Sequence, residues 1–285
     1  MRDLNGNVAV ITGAGGGIGL ATGRLLARQG MRVVLADINE PRLKAAGAAC
    51  RDDGLDVLTV PTDVSSFASM QRLADAAYRA FGGVHVLHLN AGIGSGASLF
   101  DDRTDNWEAA VGVNYLGVVW GIKAFVPRMV EADEEAVVLA TSSGAGAEGT
   151  AYTTPAYSST KVAVLSVMEC LYGQLRERGS NVRAGVVFPP LTATNLAGAP
   201  ENMKAVEAQL KASGVDATLV APEAVAAMVL DGITRNRFFI RAGEAENGAF
   251  YDGRISAGFR DWNARVVRAR AEAQLSDGAP DAYLW

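Results

Sequence analysis

Thr12-Gly13-Ala14-Gly15-Gly16-Gly17-Ile18-Gly19 is the stretch whose reading decides the fold. Val8–Ile11, just before it, is a short apolar run that fits a buried strand. Behind it, Gly17–Gln29 carries Leu20, Leu25 and Leu26 at helical spacing and stops at Gly30. A glycine-rich turn between a strand and a helix lets backbone N–H groups reach a pyrophosphate, and the helix N-terminus adds partial positive charge. Glycine is required because a Cβ would block the approach and because some positions of such a turn need positive φ.

Working outward, the same alternation continues. Arg32–Ala36, Val57–Pro61, Val84–Leu89, Ala136–Ala140, Arg183–Phe188 and Phe238–Arg241 read as strands. Pro41–Cys50, Phe67–Phe81, Asp105–Glu131, Pro155–Arg178 and Pro222–Ile233 read as helices between them. Near-continuous apolar strands separated by helices predict a parallel sheet covered on both faces. Right-handed crossovers then give an α/β doubly wound sheet, the Rossmann fold. The chain is read as one domain over residues 1–275, with a less regular insertion at 191–214, a polar helical extension from Gly243 to Gln274, and a loose tail at 276–285.

The second strand ends in Leu35-Ala36-Asp37-Ile38. A carboxylate at that point accepts hydrogen bonds from both ribose hydroxyls of an adenosine and repels a 2′-phosphate. Ile38 follows where an arginine would pair with such a phosphate, and Gly16 in the loop is not basic. The loop and the acid together point to a dinucleotide, NAD rather than NADP. Arg42 is the one nearby cation, read as a solvated helix residue.

Composition sets the bounds. Of 285 residues, 49% are hydrophobic, so a large core is available. There are 26 basic and 31 acidic residues, a net charge of −5, which argues against a nucleic-acid or anionic-membrane partner. Cys50 and Cys170 lie far apart and read as free thiols, with no CxxC spacing for a metal. No secretory leader pattern opens the chain, and no apolar stretch reaches the roughly 20 residues that span a bilayer. A cytoplasmic location is the simplest expectation. His85 and His88 lie three apart in the fourth strand, so they are expected on opposite faces as structural residues, with no metal.

Five motifs in order resemble the short-chain dehydrogenase/reductase family. They are TGxxxGxG at Thr12–Gly19, Asn90-Ala91-Gly92, Asn114 in the long helix, Ser142-Ser143, and Tyr157-Ser158-Ser159-Thr160-Lys161. The match runs from about Asn7 to Thr194. It implies an NAD-dependent enzyme acting on CH–OH groups, with Tyr157 as acid/base. Lys161, one helical turn later, would stabilise the phenolate and bind the nicotinamide ribose. Ser143 would hydrogen-bond the substrate oxygen, with Ser142 facing away. Asn114 would hold, through its backbone, a water leading from Lys161 to solvent. For the cofactor, the resemblance implies Gly13, Gly15, Gly17, Ile18 and Gly19 at the pyrophosphate, and Asp37 and Ile38 at the adenosine ribose. Asp63 and Val64 would contact adenine, and Asn90, Ala91 and Gly92 would lie beside the ribose. Pro189, Leu191, Thr192 and Thr194 would lie along the nicotinamide.

Pro190 departs from the family's usual glycine and stiffens that turn. Leu89 replaces the first asparagine of the common NNAG form. The expected substrate pocket takes in Gly94, Ser143, Tyr152, Tyr157, Leu191, Leu196 and Met203, with Ile93 and Leu99 nearby. It carries little charge, so the expected substrate is a small hydrophobic secondary alcohol or ketone. Small residues such as Ala109, Gly112, Gly117, Gly121 and Ala163 on the two long helices fit the family's subunit pairing, so a homodimer or homotetramer is expected. Two other readings compete: an NADPH-dependent 3-oxoacyl thioester reductase, and a catalytically idle NAD-binding regulator or structural oligomer. Asp37 and the acidic balance oppose the first. The retained tyrosine and lysine oppose the second.

Overall fold

The structure is a computed structural model. It describes residues 1, 3–94, 99–100, 104–144, 154–194, 196, 202, 204–205, 207–208 and 218–241. The expected pocket residues Tyr152 and Met203, most of the 191–214 insertion, the C-terminal extension and the tail lie outside the described residues.

Seven strands form one sheet in the order β3-β2-β1-β4-β5-β6-β7. They are β1 (Val8–Thr12), β2 (Arg32–Asp37), β3 (Val57–Pro61), β4 (Val86–Leu89), β5 (Ala136–Thr141), β6 (Val182–Phe188) and β7 (Phe239–Arg241). Every pairing is parallel. The helices are α1 (Gly17–Arg28), α2 (Glu40–Asp52), α3 (Phe67–Phe81), α4 (Asp105–Ala110), α5 (Gly117–Ala132), α6 (Pro155–Glu177) and α7 (Pro222–Thr234). The doubly wound α/β fold is as the apolar strands imply.

The two sheet faces carry separate cores. On one, Val10, Leu87 and Val138 pack with Leu73, Phe125 and Met168 from α3, α5 and α6. On the other, Ile11, Leu35 and Leu139 pack with Leu26, Leu43 and Val229 from α1, α2 and α7. Alternate residues of each strand therefore serve opposite cores, which is why the strands lack a polar face.

Local chemistry starts and stops the helices. Asn39 caps α2 by accepting from the Arg42 N–H at 3.0 Å, and Ser66 caps α3 by accepting from Ser69 N–H at 3.3 Å. Gly82, at φ 81°, ends α3 in the left-handed region open to glycine.

Three expectations need correction. The helix expected over Asp105–Glu131 is broken in register by a π-helical turn at Val111–Leu116, set between α4 and α5. Second, β4 begins at Val86, so His85 precedes the strand. It is held there because its Nδ1 accepts from the Val8 N–H at 3.0 Å and its Nε2 meets Glu134 at 2.7 Å. Third, the run Asp105–Ala132 is, by length and composition, long and apolar enough to cross a bilayer. Its Val118, Phe125 and Met129 are instead packed into the core beneath β4 and β5.

Candidate active site

The strand order reverses between β1 and β4, because β1 is followed in sequence by its neighbour on one side and later by β4 on the other. In such a sheet the crevice beyond the strands' C-terminal ends at that point is where ligands bind. The predicted residues converge there.

The glycine loop leaves β1 at Thr12. Gly13 and Gly17 sit at φ 66° and 54°, where a side chain would be strained. A Cβ on Gly19 would lie 2.3 Å from the Gly13 carbonyl oxygen, so backbone packing forbids it. Helix α1 begins with Gly16 as its cap residue, which offers no side-chain acceptor, and its first turn has no acid. Among the described residues no side chain caps its first N–H groups, as an incoming anion would need. The Asp37 carboxylate stands at the end of β2. Its Oδ2 accepts from Gly15 N–H and its Oδ1 from Asn39 N–H, both at 2.8 Å. Ile38 beside it is 69% exposed. These residues fit a dinucleotide.

The supporting ring is tightly bonded. Thr12 Oγ1 accepts from the Asn90 and Ala91 N–H groups at 3.0 and 3.1 Å. Asn90 Nδ2 donates to the carbonyls of Thr12 at 3.0 Å and Gly13 at 3.4 Å. Thr194 closes over the loop, with Cγ2 3.1 Å from where a Gly17 Cβ would be. The Thr192 hydroxyl is buried and donates to the Pro190 carbonyl at 2.6 Å, while an isolated bridge to Val220 pins the segment. Thr192 therefore braces the turn with its side chain. Beyond β3, Asp63 Oδ1 accepts from the Ser65 N–H at 2.9 Å and hydroxyl at 2.7 Å. The Val64 side chain is buried against Gly117 of α5.

Tyr157 and Lys161 lie on the first two turns of α6, on the same face. The Tyr157 hydroxyl is hydrogen-bonded by Ser143, which pulls its pKa down, but burial is the larger effect and raises it above the ordinary tyrosine value. Lys161 is 3% exposed, and its Nζ donates to the Thr141 carbonyl at 2.9 Å. Burial pushes its ammonium down to about 8. Nζ lies 5.6 Å from the Tyr157 ring centroid. Ser143 is the group that lowers the tyrosine, and the Lys161 ammonium lies beside the same ring. Ser142 faces away, its hydroxyl donating to the Lys161 carbonyl at 2.7 Å.

Asn114 sits in the π turn, fully buried. Its Oδ1 accepts from the Ile93 N–H at 2.8 Å, and its Nδ2 donates to the Ile93 carbonyl at 3.1 Å and to Thr160 Oγ1 at 3.2 Å. A Cβ on Gly92 would lie 3.2 Å from Lys161 Nζ and 3.3 Å from Asn114 Oδ1, so a side chain there would press on both. Gly94 is overhung by the Leu196 carbonyl, 2.9 Å from where its Cβ would be. Those two expected pocket residues are brought together. Leu191 and Pro189 lie on the same segment, leading out of β6.

Sequence reading missed Thr12, Thr141 and Thr160, each a hydroxyl that fixes a site residue. The signal for two of them was there: Thr12 and Thr141 are polar residues closing strands that are otherwise apolar.

A family model described as short chain dehydrogenase matches residues 7–205. An uncharacterized oxidoreductase of Listeria monocytogenes is 34% identical over 194 residues, covering 68% of this chain and 77% of the relative. Another from Staphylococcus aureus is 32% identical over 228 residues, covering 79% and 96%. Among solved structures, a short chain dehydrogenase/reductase from Burkholderia phymatum in complex with NAD is 33% identical. It aligns with a TM-score of 0.78 over 98% of this chain and 99% of that one. The fold and the crevice define a dinucleotide-dependent oxidoreductase. The chain belongs to the short-chain dehydrogenase family, whose members use NAD or NADP.

Proposed function

We propose that this oxidoreductase interconverts a hydrophobic secondary alcohol and its ketone with NAD(H), and that Tyr157 is the acid/base. The observation that carries the reading is the Tyr157 hydroxyl hydrogen-bonded to Ser143, with the buried Lys161 ammonium one turn away in the crevice. A bound nicotinamide supplies or accepts the hydride. In oxidation, Tyr157 takes the hydroxyl proton as the C–H hydride leaves. In reduction, it gives a proton to the carbonyl oxygen. The phenol is held protonated by burial, which is the form that donates. Ser143 holds the substrate oxygen beside Tyr157 and gains strength as that oxygen becomes negative. Lys161 places a desolvated positive charge under the reacting oxygens and binds the ribose. Asn114 fixes the Ile93 backbone from within the π turn, and its own backbone would hold a water behind Lys161.

The NAD preference is supported by Asp37 at the end of β2 and by the exposed, uncharged Ile38 after it. A 2′-phosphate there would meet a carboxylate. The NAD in the Burkholderia phymatum structure agrees with this. A hydrophobic substrate is supported by Ile93, bonded to Asn114, and by Leu196 over Gly94 at the crevice. Assembly into a dimer or tetramer is supported by the exposed apolar Val111 and Val162 on the two long helical runs. Light scattering of the purified chain checks it.

The test of function is reduced-nicotinamide absorbance with NAD, then NADP, against a panel of hydrophobic secondary alcohols and ketones. Turnover with NAD and little with NADP is the expected result. Preference for NADP overturns the reading of Asp37. Binding of NAD without turnover of any panel member overturns the substrate class.

A further inference from the structure

His88 is fully buried in β4, between the register partners Ile11 of β1 and Leu139 of β5. A parallel strand covered on both faces ordinarily carries an aliphatic residue there. Burying an imidazole has a cost unless its hydrogen bonds offset it. The ring makes one, from Nε2 to Thr141 Oγ1 at 2.9 Å. Nothing in the proposed reaction uses it.

Counting protons fixes the direction of the bonds. Asn90 Nδ2 faces two backbone carbonyls, which only accept, so the amide nitrogen must be on that side. Asn90 Oδ1 therefore faces Thr141 Oγ1 at 3.2 Å and accepts the one hydroxyl proton. Thr141 has no proton left for His88, so Nε2 is the donor. The ring is neutral with its proton on Nε2, and Nδ1 has no hydrogen-bond partner among the described residues. Burial, which pushes the imidazole down to about 3, keeps it so.

Donation thus runs one way: His88 to Thr141, Thr141 to Asn90, Asn90 to the carbonyls of Thr12 and Gly13. The last link is the glycine loop itself. Asn90 Nδ2 would lie 2.7 Å from a Cβ on Gly19 and 3.2 Å from one on Gly13, so the amide is wedged into the loop. The Thr141 carbonyl, meanwhile, accepts from Lys161 Nζ at 2.9 Å. Thr141 links the loop through its side chain and Lys161 through its backbone, and His88 occupies the hydroxyl's lone pair so that its proton points to Asn90.

We propose that His88 is a positioning residue for dinucleotide binding, holding the glycine loop through Thr141 and Asn90. The inference rests on the dinucleotide reading of the crevice. It makes the loop's order depend on a residue in the middle of the sheet that touches no ligand.

The test is titration of NAD into the full chain, wild type and variants, with hydrogen exchange of the Gly13–Gly19 amides followed on the same proteins before NAD is added. His88→Val should weaken NAD binding roughly three- to tenfold, the size of one neutral hydrogen bond lost from a buried network. It should raise KM for NAD with kcat within about twofold, and speed exchange in the loop. His88→Gln, whose amide N–H can donate to Thr141, should recover most of the affinity. Ile240→Val, in the core at the far edge strand, should lower stability and leave affinity alone. Should His88→Val not fold, Thr141→Val breaks the same chain one link later and should weaken NAD binding and speed exchange in the loop to a similar extent. Unchanged affinity and exchange overturn the role of His88 and leave the dinucleotide reading standing. A wild type that binds neither NAD nor NADP overturns both.

Discussion

The backbone N–H of Gly15 donates to Oδ2 of Asp37 at 2.8 Å, tying the glycine loop to the end of the second strand. A Cβ on Gly15 would lie 2.9 Å from the Asp37 carboxyl carbon, so loop and acid are fitted to each other. A carboxylate accepts about four hydrogen bonds, and Gly15 and Asn39 use two. Capacity is left for two ribose hydroxyls. Asp37→Ser removes both that capacity and the repulsion of a 2′-phosphate. It should lower kcat/KM for NAD at least tenfold and shrink the NAD-to-NADP ratio by more than tenfold. Arg42, whose stem runs beside Gly15, would then be free to pair with the phosphate. An unchanged ratio would show that Asp37 serves the loop alone.

Tyr157→Phe removes the acid/base oxygen and the partner of Ser143 while keeping the ring. Positioned proton transfer contributes about 10²–10⁴-fold, so turnover should fall by at least that range. NAD affinity should stay within about twofold, since the hydroxyl does not hold the loop. Ser143→Ala should lower kcat about 10²–10³-fold, as removal of one donor to a developing oxyanion does. Equal residual rates in wild type and Tyr157→Phe would sink the mechanism.

The class of fold was legible from strand and helix periodicity, and most of the site from five short motifs. What stayed hidden was what bonds between distant strands decide. The π turn around Asn114 has no composition signal, because it comes from the fit of Asn114 between Ile93 and Thr160. His85 has the same residue type and spacing whether it starts β4 or precedes it. Its bond to the Val8 N–H, 77 residues away, settles that. The setting of Lys161 stayed hidden for the same reason. Spacing places Lys161 one turn away but does not reveal that its ammonium turns to the Thr141 carbonyl.

Lys161 should set the alkaline limb of ketone reduction. The profile of kcat/KM reports the free enzyme, where burial pushes the Lys161 ammonium down to about 8. Tyr157 is pushed the other way and keeps its proton through that range. Both groups are charged or protonated as reduction needs below pH 8. As pH rises through 8, Lys161 loses its charge, and kcat/KM should fall toward tenfold per pH unit. In Lys161→Arg the guanidinium stays charged, so the limb near 8 should vanish from whatever lower rate remains. A wild-type profile flat to about 1.5 pH units past the Lys161 midpoint would remove Lys161 from this role.

His88 should also leave a signature in acid stability. In the folded chain it is pushed down from 6.5 to about 3. The unfolded chain therefore binds more protons between those values, and stability falls as pH drops through that window. Above 6.5 the contribution is complete, because neither state is charged. At pH 5 the loss should be roughly 2 kcal/mol, growing by about 1.4 kcal/mol per unit as pH falls further toward 3. Other titrating groups add their own slopes, so the wild type alone does not isolate the effect. His88→Gln keeps the donor to Thr141 and cannot titrate, and every other group is shared. Urea unfolding of both proteins at pH 7 and pH 5 should show the variant gaining roughly 2 kcal/mol on the wild type over that interval. A constant difference would mean that His88 takes up its proton equally in the folded chain. Burial would then not be holding the ring neutral, and an acid-induced loss of the Thr141 link would have to be sought elsewhere.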